Sequence, residues 1–128
     1  MALTYDIKFK RKIEKKEALK TLIKENDESL FIIYDLYTPT FGYVESLFDD
    51  YEINLDLGKI SQIGFRITDT EADQLVFRKS LIETVHKITN EIYPEEDYYF
   101  DFNGDIIHEM RENGVVKRNN KSGFFVDI

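Results

Sequence analysis

The chain has 128 residues, of which 42% are hydrophobic and 33% charged, with Phe 10 and Tyr 8. That length suits one compact domain with a sizeable core, and the composition is too apolar and too aromatic for a disordered chain. Cysteine is absent, which excludes disulfides, thiolate metal sites, Fe–S clusters and cysteine nucleophiles, and a net charge of -8 argues against broad binding to nucleic acid or anionic membranes.

Leu3, Tyr5, Ile7 and Phe9 alternate with polar residues and predict a half-buried strand. Ala18, Leu19, Leu22 and Ile23 place one apolar stripe on a short helix near 14–25, with lysines opposite. The run Leu30-Phe31-Ile32-Ile33-Tyr34 predicts an inner strand, being short and β-branched. Residues 37–50, punctuated by Pro39 and Gly42, read as a loop. Tyr51, Ile53, Leu55 and Leu57 alternate again, and Gly58-Lys59 predicts a turn into Ile63, Phe65 and Ile67 as a hairpin.

A long helix follows, capped by Asp69 or Thr70, with Glu71 and Asp73 in its first turn. Phe77, Leu81, Val85, Ile88 and Ile92 fall on one face, and Pro94 ends the helix because it has no amide hydrogen to donate. Asn103-Gly104 and Asn113-Gly114 each suit a type I′ turn, giving a meander over 97–102, 105–112 and 115–119. Pairing Phe102 with Asp105 and Phe100 with Ile107 puts Tyr98, Phe100, Phe102 and Ile107 on one face. The order β-α-β-β-β-α-β-β-β predicts one α+β domain over 1–128. It has a mostly antiparallel sheet of about six to seven strands and two helices packed on one face.

Charge is segregated along the chain. Residues 1–24 carry 8 basic and 3 acidic side chains, residues 25–58 carry 9 acidic and none basic, and residues 91–109 carry 7 acidic and none basic. Solvated loops and strand faces account for such runs; the acidic segments also suit a basic partner. The lysines of the first segment fall on solvent faces with no interleaved aromatics, so nucleic acid is not an expected partner.

Little points to catalysis or a cofactor. Asp101-Phe102-Asn103-Gly104-Asp105 with Glu112 mimics a calcium loop, but Ile106 stands where the sharp turn needs glycine. His86 and His108 are the only imidazoles, one per element, a poor metal set. No serine sits in a Gly-x-Ser-x-Gly context, and no glycine-rich phosphate loop occurs. Neither a signal peptide nor an apolar run of about 18 residues is visible, so a cytoplasmic protein with no membrane partner is expected.

Three segments carry a family resemblance: the opening Met1-Ala2-Leu3-x-Tyr5-Asp6-Ile7, the strand Ile63-Gly64-Phe65-Arg66-Ile67, and the closing Asp101-Phe102-Asn103-Gly104-Asp105 hairpin that runs on through Asn113-Gly114 to Lys117. In order and spacing these resemble the third type of Sit immunity proteins, first named from myxobacterial swarming-inhibition toxins. Family members often carry tryptophan near the C-terminus, where this chain has Phe124-Phe125. The resemblance implies a single immunity-protein domain, a cytoplasmic antidote that binds a cognate protein toxin and blocks it, with no catalytic residues to carry over. No cofactor is expected, and the chain is expected to be a monomer or weak dimer. Candidate toxin contacts are Tyr37, Phe41, Tyr43, Asp49, Asp50 and Glu52 in and after the long loop, joined by Glu95, Glu96 and Asp97. Alternatives are a small-ligand or peptide-binding α+β domain and a carboxylate-dependent hydrolase.

Overall fold

The computed structural model describes residues 3–36 and 41–128. In chain order the elements are β1 (Thr4–Phe9), α1 (Glu17–Glu25), β2 (Phe31–Leu36), β3 (Phe41–Phe48), β4 (Tyr51–Lys59), β5 (Gln62–Ile67), α2 (Gln74–His86), β6 (Tyr98–Phe102), β7 (Ile106–Glu112) and β8 (Val115–Arg118). The strands form one mostly antiparallel sheet ordered β2-β5-β1-β6-β7-β3-β4, with β8 also paired to β7. The expected α+β class, with both helices on one face, is what the structure has.

The helix face holds the main core. Ile7 and Phe9 of β1, Ile63 and Phe65 of β5, and Tyr98 and Phe100 of β6 pack against Leu19 of α1 and Phe77, Leu81, Ile82 and Val85 of α2. Asp73, not Asp69 or Thr70, caps α2 by accepting the Val76 N–H at 3.0 Å. Asp69 instead holds a tight turn through the Glu71 N–H, which delays the helix by one turn. After His86 the helix widens into a π turn over Lys87–Ile92, closed by the Tyr93 N–H on the Ile88 carbonyl. Arg111 of β7 caps its end, donating from Nη2 to the carbonyls of Thr89 and Tyr93, each at 2.9 Å.

Two expectations for the middle of the chain are corrected. Residues 41–48, expected as loop, are a strand, and β4 pairs with it rather than with β5. The partners of β5 are β1 and β2. Buried Gly42, Val44, Ser46 and Phe48 alternate with exposed Tyr43, Glu45 and Leu47, a strand period whose apolar members are too few to dominate a sequence reading. The β3–β4 hairpin makes a second core on the sheet's other face, where Val44 and Phe48 meet Tyr99, Ile107 and Met110, flanked by half-buried Ile53, Leu55 and Leu57.

A third correction concerns register. Both Asn-Gly pairs do adopt positive φ, 52° and 74° at Asn103-Gly104 and 53° and 79° at Asn113-Gly114. Yet Phe102 pairs with Ile106 and Asp101 with Ile107, with a bulge before Phe100 meets Glu109. The Asp105 carbonyl is taken by the Leu47 N–H of β3 at 2.9 Å, which draws Asp105 out of the expected ladder. A slip of one residue turns Ile107 to the opposite face, into the second core.

Candidate functional site

The hairpin gathers the most contact-competent surface. Its cross-strand pairs Tyr43↔Asp56, Glu45↔Asn54 and Leu47↔Glu52 share one outward face. Tyr43 is 55% and Leu47 50% exposed there, and Tyr51 beside the turn is 71% exposed. Three carboxylates, Glu45, Glu52 and Asp56, surround the apolar groups. At the tip, Asp49 holds a left-handed φ of 53° and Asp50 is ion-paired to Lys121.

Three anchors fix the hairpin to the sheet. Ser46 Oγ donates to the Gly104 carbonyl at 2.6 Å, the Leu47 N–H to Asp105, and Lys8 Nζ to the Tyr43 carbonyl at 3.3 Å. Lys8 in turn lies 3.3 Å from Asp101 Oδ2, while Asp101 Oδ1 accepts the Gly104 N–H at 2.9 Å. Burial pushes the Asp101 carboxyl up to about 6 against the opposing pull of Lys8. Neighbouring Asp6 is likewise raised by burial, opposed by the Gln62 side chain donating to it at 2.9 Å. This buried polar row is the hairpin's foundation.

The sequence candidates are thus divided. Tyr43, Asp49, Asp50 and Glu52 are brought together on the hairpin. Phe41 opens β3, and Tyr37 lies outside the described residues. Glu95, Glu96 and Asp97 precede β6, whereas the hairpin is anchored at the far end of that strand. Two of the three have internal duties. Arg11 donates to both Glu96 oxygens at 2.7 and 2.6 Å, which holds the Glu96 carboxyl below its usual range. Asp97 accepts the N–H groups of Asn113 and Gly114 at 2.8 and 3.1 Å, fixing the last turn. An open groove of about 390 Å³ runs beside Arg11, Lys12, Lys16, Tyr93, Glu95 and Glu96, its lining mixed in charge.

Sequence reasoning missed Glu45, Leu47 and Asp56; the signal was the alternation from Gly42 to Phe48. It also left both histidines unassigned. His86 Nε2 lies 2.9 Å from Oε2 of buried Glu109, whose Oε1 accepts the Tyr98 hydroxyl at 3.2 Å. His108 is buried against Phe100 and stacked on Phe124 at 4.6 Å, and burial lowers it to about 4. Among the described residues, no group of three or more His, Asp or Glu is placed to hold a metal ion. Nor, among them, is any helix long and apolar enough to cross a membrane.

Comparison of the chain with protein-family models, curated proteins and solved structures finds no match. The fold and the hairpin therefore define an α+β domain with an acidic, aromatic-bearing projection, and the functional reading rests on that surface.

Proposed function

We propose that this chain is an immunity-type protein that neutralises a cognate protein toxin in the cytoplasm by direct binding through the outward face of β3–β4. One observation carries the reading: exposed Tyr43 and Leu47 share that face with Glu45, Glu52 and Asp56, and the hairpin's one basic side chain, Lys59, stands at its far end, paired with Phe41. Aromatic and aliphatic anchors supply binding energy, and a predominantly negative charge field speeds encounter with a basic partner and sets its orientation. The resemblance to Sit immunity proteins agrees with this reading, which assigns no cofactor and no catalytic step.

Co-expression of the chain with the toxin domain encoded beside it tests the proposal. Cells should survive with the native chain and die with a Glu45→Lys, Glu52→Lys double variant. Survival no better than with an empty vector overturns it. A second reading, a small-ligand or peptide-binding domain, draws on a pocket of about 170 Å³ where Leu3, Tyr5, Ile67, Phe77 and Phe102 meet Asp69, Thr70 and Gln74. Its volume suits a single side chain better than a whole small molecule.

A further inference from the structure

β4 ends the sheet, and its outer edge is unpaired among the described residues. The ladder fixes which backbone groups face outward. The Leu47 N–H turns away from β4 to reach Asp105, and the Tyr43 carbonyl turns away to accept Lys8. Leu47 and Tyr43 are therefore non-hydrogen-bonded partners of Glu52 and Asp56, and Glu45↔Asn54 lies between them in the same phase. It follows that Glu52, Asn54 and Asp56 all point their N–H and C=O groups away from β3, along the free edge. On one face of that edge stand the Glu52 and Asp56 carboxylates. On the other, Ile53, Leu55 and Leu57 are only half-covered by the second core.

We propose that β4 receives an extended segment of the partner as an added strand, with Lys or Arg alternating with β-branched apolar residues. Its basic side chains would face Glu52 and Asp56, and its apolar ones would complete the cover over Ile53, Leu55 and Leu57. A second copy of this chain is a poorer occupant. Antiparallel β4–β4 pairing centred on Asn54 sets Glu52 opposite Asp56 of the other copy, acid against acid. The acids thus refuse self-pairing and select a basic strand. This deepens the antitoxin reading by naming how the same hairpin engages its partner.

The probe is an eight-residue peptide alternating lysine and valine, added to the full chain and followed by backbone amide exchange. Exchange at Glu52, Asn54 and Asp56 should slow by about tenfold or more at saturation. A peptide of the same sequence with alternate amides methylated, so that it cannot pair along one edge, should give no protection. Asn54→Pro removes an outward N–H and leaves the β3 ladder whole, so it should abolish the effect while circular dichroism stays native. Absence of protection, or equal protection by the methylated peptide, overturns the inference. So does assembly of the chain alone with rising concentration that Asn54→Pro abolishes, which would make a second copy the occupant. The toxin assay separates the two proposals: rescue that survives Asn54→Pro keeps the antitoxin reading and removes the added strand, whereas peptide protection without rescue does the reverse.

Discussion

Lys8 Nζ stands 3.3 Å from both the Asp101 carboxylate and the Tyr43 carbonyl, so one ammonium group joins β1, β6 and the β3–β4 hairpin. The Lys8 and Asp101 side chains are 11% and 0% exposed, and neither charge can turn to bulk water without its partner. A Lys8→Met variant therefore strands a buried carboxylate and releases one hairpin anchor. The expected loss in urea unfolding at pH 8 is roughly 3 kcal/mol. At pH 5 the loss should shrink, because Asp101 then folds as the neutral acid. Equal losses at the two pH values would remove the ion pair from the account.

Asp101 and His108 make opposite contributions to acid stability. The folded Asp101 carboxyl titrates near 6, above its ordinary 3.8. Between those values the folded chain keeps a proton that the unfolded chain has released, so stability falls as pH rises. His108 titrates near 4, below its ordinary 6.5, and the unfolded chain takes up a proton that the folded one refuses. That contribution makes stability rise with pH across nearly the same window. Each is ~3 kcal/mol in full, and they largely cancel between pH 4 and 6. Unfolding free energies across that range should slope downward with pH in His108→Phe and upward in Asp101→Asn relative to wild type. Parallel profiles in all three proteins would refute the cancellation.

Much of this architecture was legible in the chain. The period of Phe77, Leu81, Val85, Ile88 and Ile92 gave the core face of the long helix, though not its widening into a π turn after His86, and Asn-Gly chemistry gave both late turns. What stayed hidden was decided by contacts distant in sequence. β3 takes its place through Ser46 and Leu47 on Gly104 and Asp105, and that same contact shifts the β6–β7 register. The alternation from Gly42 to Phe48 is too poor in apolar residues to reveal the first, and no local pattern encodes the second, since a short strand with few apolar residues forms where a partner edge awaits it. The acidity of 25–58 was visible, but not that Glu45, Glu52 and Asp56 share one face with Tyr43 and Leu47.

Gly64 lies beneath the Tyr34 ring where β5 pairs with β2. An added Cβ would come within 2.3 Å of Tyr34 Cζ. Gly64→Ala should cost about 1–3 kcal/mol by driving the ring off the sheet. The same substitution should cost much less in a Tyr34→Ala background, where nothing covers the site. Thermal melts of the four proteins measure that coupling, and additive losses would mean that the clash relaxes without the ring moving.

Phe124 closes the helix-face core from the C-terminal turn. It is 3% exposed and stacked on His108 at 4.6 Å, and Arg78 holds the turn by donating from Nη1 to the carbonyls of Phe124 and Val126 at 2.6 and 2.8 Å. The desolvation that lowers His108 depends on this cover. Phe124→Ala should destabilise the fold by roughly 3 kcal/mol through the cavity it leaves. It should also admit water to the imidazole, so that the His108 midpoint followed by NMR climbs from about 4 toward its ordinary 6.5. Arg78→Ala, which loosens the turn but keeps the ring, should shift the midpoint in the same direction by less. A midpoint unmoved in Phe124→Ala would mean that Phe100 and Tyr5 alone keep His108 dry, and that the C-terminal turn contributes packing without governing the histidine.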